Sequence, residues 1–89
     1  MLFMVVEHYT SGPAAVYERA ALHGRMLPNG LDFLDSWVVD DDSMDRCFQL
    51  MATDDPSLFD TWIGHWHDLV EFQIFPVINS AAAADRTLG

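Results

Sequence analysis

Lysine is absent from this chain of 89 residues. Its only basic side chains are Arg19, Arg25, Arg46 and Arg86, against 14 Asp and Glu, for a formal net charge of −10. Nucleic-acid binding draws on cations that displace phosphate counterions, so four scattered arginines exclude it as a working expectation. Cysteine is nearly missing as well. Cys47 stands alone, which excludes an intrachain disulfide and agrees with the reducing cytoplasm. No basic segment precedes the apolar residues 1–6, and Glu7-His8 follows at once, so no signal peptide is expected. No apolar run approaches the roughly 18–20 residues of a transmembrane helix. The acidic surface repels anionic lipid, so no membrane partner is expected either.

What the chain does have is core-forming material. Hydrophobic residues make up 51% of it, with 3 Trp, 2 Tyr and 6 Phe, which excludes disorder. One domain is the ceiling at this length. So short a chain buries only roughly 60–65% of the surface it exposes when unfolded. Its aromatic residues therefore build a very dense core or are partly covered by a second copy.

Residues 2–9 are short, β-branched and aromatic, and read as a strand. Thr10-Ser11-Gly12 breaks it, and Pro13 suits a first helical turn, where its missing N–H costs nothing. Residues 14–26 read as a helix, in which the small Ala20 and Gly24 allow close approach to a sheet. Pro28-Asn29-Gly30 turns the chain. Residues 31–39 and 44–53 then form a hairpin around the acidic turn 40–43. Asp54-Asp55-Pro56 starts a second helix running to about residue 67, with Phe59, Trp62, Ile63 and Trp66 on one side. Residues 69–78 alternate as a last strand. Residues 81–84 add a helical turn and residues 85–89 read as a loose end, so that 80–89 forms a short C-terminal tail. The expectation is a single α+β domain over 1–79 with a ferredoxin-like βαββαβ order. Its four-stranded antiparallel sheet has strand order 4-1-3-2 and two helices on one face.

Side chains alternate across strands. Leu2, Met4, Val6, Leu34, Val38, Phe48, Leu50, Phe72 and Ile74 are assigned to the face under the helices. His8 and Arg46 fall on the same side. The opposite face then carries Phe3, Val5, Glu7, Phe33, Asp35, Trp37, Cys47, Gln49, Met51, Glu71, Gln73 and Phe75. That set is too apolar for water and too polar for a dry core. A face-to-face homodimer, closing a dimeric α+β barrel, resolves both problems. Phe3, Val5, Phe33, Met51 and Phe75 are its interface candidates. Glu7, Asp35, Trp37, Gln49 and Gln73 are the candidates for binding a small molecule between the two sheets. The competing reading makes the same polar set a network that orients the dimer.

The stretches Met4-Val5-Val6-Glu7-His8, Asp35-Ser36-Trp37 and Cys47-Phe48-Gln49-Leu50-Met51 carry a resemblance. With Thr53-Asp54-Asp55-Pro56 and Trp66-x-Asp68-Leu69-Val70, they resemble a family of short bacterial proteins over about residues 1–79. That family is a domain of unknown function within the dimeric α+β barrel superfamily. The resemblance implies the fold and the dimer, and no activity. The superfamily includes cofactor-independent monooxygenases, haem-degrading enzymes, small-molecule isomerases and stress proteins, so the fold is a poor guide to chemistry.

Other constellations have plainer explanations. His65 and His67 lie two apart, about 200° apart on a helix, which is wrong for shared metal ligation. No metal site and no cofactor are expected. Asp40-Asp41-Asp42 lacks the glycine and glutamate of a calcium loop and reads as a solvated turn. Cys47 has nothing beside it to lower its pKa and reads as a buried structural thiol. Trp62 and Trp66 sit at helical spacing and read as core.

The leading functional expectation is a cytoplasmic homodimer that binds a small apolar or aromatic molecule between its sheets. A cofactor-independent monooxygenase or isomerase is the alternative, with Glu7 or His8 in proton transfer and Trp37 in stacking. A structural or regulatory interaction module without ligand is the third reading.

Overall fold

The computed structural model describes residues 1–89. Strand β1 (Leu2–Tyr9) leads through helix α1 (Pro13–His23) to the hairpin of β2 (Asp32–Val38) and β3 (Arg46–Ala52). Helix α2 (Leu58–Gly64), strand β4 (Val70–Val77) and helix α3 (Ser80–Leu88) complete the chain. The strands form one antiparallel sheet in the order β2-β3-β1-β4, as expected for a ferredoxin-like fold. No helix is long and apolar enough to cross a membrane.

Local sequence accounts for most boundaries. Pro13 occupies the first turn of α1 after Gly12, whose φ of 81° favours glycine. Helix α1 ends at His23, three residues earlier than its composition suggests, because Gly24 (φ 67°) and Met26 (φ 59°) enter the left-handed region. The acidic hairpin turn is tied by one carboxylate. Asp41 Oδ1 accepts from the Ser43 and Met44 amides at 3.1 and 2.8 Å and from Ser43 Oγ at 2.9 Å. Before α2, Thr53 Oγ1 accepts from the Asp55 amide at 3.0 Å, and Asp55 Oδ1 accepts from Ser57 N and Oγ. These bonds hold residues 54–57 in a turn that sequence alone assigns to the helix, and the helix stops at Gly64 rather than near residue 67, so α2 is only seven residues long.

The chain end is more ordered than the expected loose tail. Asn79 caps α3, its side chain accepting from the Ala82 amide at 2.8 Å. None of the helix's residues is buried.

Register decides which face is covered, and here the structure reverses part of the sequence assignment. Residues paired across antiparallel strands share a face. Val5 pairs with Gln49 and Ile74, Phe3 with Met51, and Glu7 with Cys47 and Phe72. These side chains, with Tyr9 and Val70, lie under α1 and α2 and form a core with Val16, Phe59, Trp62 and Trp66. Phe3, Val5 and Met51, the expected interface candidates, lie instead beneath the helices of their own chain, where they are 5%, 0% and 0% exposed. Phe33 also turns to the helix side, opposite Met51. Leu2, Met4, Val6, Phe48 and Leu50, assigned to the core, lie on the open face instead, as do His8 and Arg46. For β4 the assignment holds: Phe72 and Ile74 pack inward while Glu71, Gln73 and Phe75 are exposed. In β2 a bulge between Phe33 and Asp35 breaks the alternation and leaves Leu34 half-exposed. Trp37 and Val38 are placed as expected, outward and inward.

Edge-to-face aromatic contacts fill the layer between sheet and helices. Phe3 meets Phe59 at 5.1 Å, and Trp62 meets Phe72 at 5.2 Å. Across the outer ends, Arg19 of α1 donates to both Asp68 carboxylate oxygens at 2.7 and 2.8 Å and to the His65 carbonyl at 3.0 Å. This fork ties α1 to the turn after α2 and holds the Asp68 carboxyl down at about 2.

Candidate functional site

A cavity of about 220 Å³ opens between α1 and the sheet. Three neighbouring helix-side positions of the central strands form its floor: Glu7 of β1, and Cys47 and Gln49 of β3. Its walls are apolar and aromatic. Val16, Tyr17 and Ala20 come from α1, Tyr9 from the end of β1, Trp62 from α2 and Trp66 from the turn that follows. Arg25, Ser36 and Val38 line its edge toward β2.

Glu7 is the central group. It is 4% exposed, and burial in apolar surroundings raises its pKa from the ordinary 4.5 to about 7. Two influences oppose that rise, the hydrogen bond from Gln49 and the positive charge of Arg25. Gln49 Nε2 donates to Glu7 Oε2. The other amide atom, Gln49 Oε1, is buried and has no hydrogen-bond partner. A buried carbonyl oxygen left in this state costs about 1–3 kcal/mol. It is thus an acceptor ready for a donor entering the cavity.

The thiol and phenol beside Glu7 are held neutral. Burial is the largest cause of the raised pKa of both Cys47 and Tyr9, and the neighbouring Glu7 charge adds to it. Cys47 is therefore a poor nucleophile and fits the expected structural thiol. Trp62 and Trp66 are core residues, as expected, and they also shape the cavity. Both indole N–H groups donate to the Arg25 carbonyl, each at 3.0 Å. The left-handed residues Gly24 and Met26 flank Arg25 and turn the chain so that its carbonyl faces the two indoles.

Of the five sequence-chosen ligand candidates, the structure brings two together. Glu7 and Gln49 are in direct contact, on the helix side of the sheet. Asp35, Trp37 and Gln73 lie on the opposite face, away from them. His8 is also on the open face, with Nε2 3.2 Å from Asp45 Oδ2, and takes no part in the cavity. His65 and His67 are exposed in the turn after α2. No group of three or more His, Cys, Asp and Glu is arranged to hold a metal ion. Sequence reasoning missed Arg25, Tyr9 and Tyr17. Nothing in the sequence marks Arg25, because its position depends on the turn geometry after α1. Tyr9 could have been found by extending the period-two pattern of Val5 and Glu7 by one step.

Comparison with known proteins adds a family and no chemistry. The chain belongs to the family described as Domain of unknown function (DUF3303), which matches residues 1–87. No curated protein and no solved structure matches it.

Proposed function

For this member of a family without an assigned activity, we propose a small-molecule-binding α+β domain whose pocket lies between α1 and the sheet of each chain. The bound molecule is compact, with an apolar or aromatic body and at least one O–H or N–H donor. The single observation carrying this reading is the orphaned Gln49 Oε1, buried beside Glu7 in an aromatic-walled cavity. Aromatic walls with a few fixed polar groups are the usual make-up of such sites. A volume of about 220 Å³ is below the usual range for drug-sized ligands, which restricts the occupant to a small one, such as a single ring.

The ligand site moves from between two sheets to the helix side because Glu7 and Gln49 are there. The dimer remains part of the proposal, with different residues. Met4, Val6, Trp37, Phe48, Leu50 and Phe75 share the open face, and such a contiguous apolar face is covered by a second copy in a dimeric α+β barrel. The protein acts in the cytoplasm, where its lone thiol stays reduced.

A second reading follows from Glu7. A carboxyl that titrates at about 7 suits proton transfer at neutral pH, so a cofactor-independent isomerase or monooxygenase would use Glu7 as its acid or base. His8 and Trp37 would have no part in that chemistry.

Titration with phenol, followed by amide and indole NMR signals, tests the pocket. Shifts are expected for Glu7, Gln49, Trp62 and Trp66. Shifts confined to Trp37, Phe48 and Gln73 would return the site to the open face. No saturable shift at all would remove the pocket reading.

A further inference from the structure

Arg25 is the one cation lining the cavity, and it is built in from both ends. Its main-chain carbonyl is fixed by the two tryptophan indoles that wall the cavity. Its guanidinium carbon lies 3.5 Å from the centroid of the Phe33 ring, and Nη2 makes only a long 3.5 Å contact with Ser36 Oγ. Stacking of this kind holds the planar group in place and leaves its edge N–H donors unused. Arg25 makes no ion pair, although the chain carries 14 acidic residues. Arg46 and Arg86 are also unpaired, but neither is stacked on a ring or lines this cavity. Arg19, by contrast, is consumed by Asp68.

The cavity therefore has two unlike ends. At the floor, Gln49 Oε1 requires a donor. At the mouth, a stacked guanidinium with a free edge requires a planar acceptor, and a carboxylate matches it with two parallel hydrogen bonds. Between them the walls are aromatic.

Resting on the pocket reading above, we infer that the ligand is a small single-ring acid, its carboxylate held by Arg25 and an O–H or N–H at its far end donating to Gln49. A net charge of −10 repels anions from most of the surface, so entry of an acid needs a fixed local cation, and Arg25 supplies it at the mouth.

Calorimetric titration of the full chain with para-hydroxybenzoate and with phenol separates the claims. It is run at about pH 6, where the ligand carboxylate is ionised and Glu7 is largely neutral. The acid should bind at least about tenfold more tightly than phenol, the size expected of one charge-assisted bidentate contact at a partly exposed site. Arg25→Gln should erase that difference, weakening the acid about tenfold more than it weakens phenol, since the carbonyl held by Trp62 and Trp66 is kept and only the guanidinium is lost. Arg25→Lys should retain part of the preference, because the charge survives and the fork does not. If phenol binds as tightly as the acid, the anion claim is overturned and the pocket stands. Equal weakening of both ligands by Arg25→Gln would also overturn it, showing that Arg25 only shapes the cavity. Failure of both ligands to bind the native chain overturns the pocket and the anion claim together.

Discussion

The two faces of the sheet are built from almost the same kinds of residue and do opposite things. The covered face contains the polar Glu7 and Gln49 and is buried; the open face contains Met4, Val6, Phe48 and Leu50 and is partly exposed. Hydrophobicity alone would assign them the other way round. What separates them is fit. Phe3, Val5, Tyr9 and Met51 form one buried cluster with Phe59, Trp62 and Trp66, while Gln49 Nε2 donates to Glu7 in one corner of that layer and Gln49 Oε1 is left without a partner. The comparison shows that a buried polar pair at a cavity can be retained inside a well-packed face. It also shows that an apolar face is not thereby a core.

The largest effect expected from disturbing this arrangement is on the covered face. Trp62 is 2% exposed, contacts Phe59 and Phe72, and holds the Arg25 carbonyl. Trp62→Ala should cost about 3–5 kcal/mol, the range for truncating a fully buried large aromatic. Urea denaturation followed by circular dichroism measures it. A loss near zero would show that the helix layer is loosely packed and that the cavity extends through it.

A smaller, pH-dependent effect is expected at Glu7, and its sign is fixed. The folded-state pKa is about 7 against an ordinary 4.5, so between these values the folded chain holds a proton that the unfolded chain has lost. Stability from this group is fully present below about pH 4.5 and is lost as pH rises through about 7, amounting to about 3 kcal/mol. Asp68 acts in the opposite sense and elsewhere on the scale. Arg19 holds its pKa near 2, so its contribution is present above the ordinary 3.8 and fades only as pH falls toward 2. The two windows do not overlap. Glu7→Gln should therefore flatten the decline between about pH 5 and 8 and leave the acid limb unchanged. Melting temperatures across that range check both halves. A slope that persists in Glu7→Gln would assign the titration to another group.

Strand order, both helices and the alternation of β4 were legible in the sequence because each rests on local chemistry. Pro13 begins a helix, Asp41 and Ser43 make a turn, and Phe72 and Ile74 alternate with Glu71 and Gln73. Orientation of β1 and β3 was not legible. Leu2, Met4 and Val6 are as apolar as Phe3 and Val5, so the strand reads equally well in two registers, and slipping one residue exchanges the faces. Glu7 then tips the choice the wrong way, since a carboxylate is normally an outward marker. The bulge at Phe33/Asp35 adds a second source of error by shifting the phase within β2. In the candidate site, Glu7 and Gln49 were recognisable as a pair because both orientations keep them on one face. Arg25 was not, because a residue in an irregular turn has no periodicity to place it.

The smallest effect on the single chain is expected on the open face, and it carries information about assembly. Phe75 is 50% exposed in one chain and lies beside Met4 across the β1–β4 pairing. In an isolated chain, Phe75→Asp should change stability by no more than about 0.5–1 kcal/mol, as for other exposed positions. If a second copy covers the face, the same substitution places a carboxylate in a desolvated interface twice over, once from each chain. Dissociation should follow. Sedimentation at low micromolar concentration should show about twice the chain mass for the native protein and the single-chain mass for Phe75→Asp. The native melting temperature should also rise with protein concentration, and that of the variant should not. A native protein that sediments as one chain, with a concentration-independent melting temperature, would leave the open face solvated and break the proposed dimer. The helix-side cavity would be untouched by that outcome, because every residue lining it comes from the same chain.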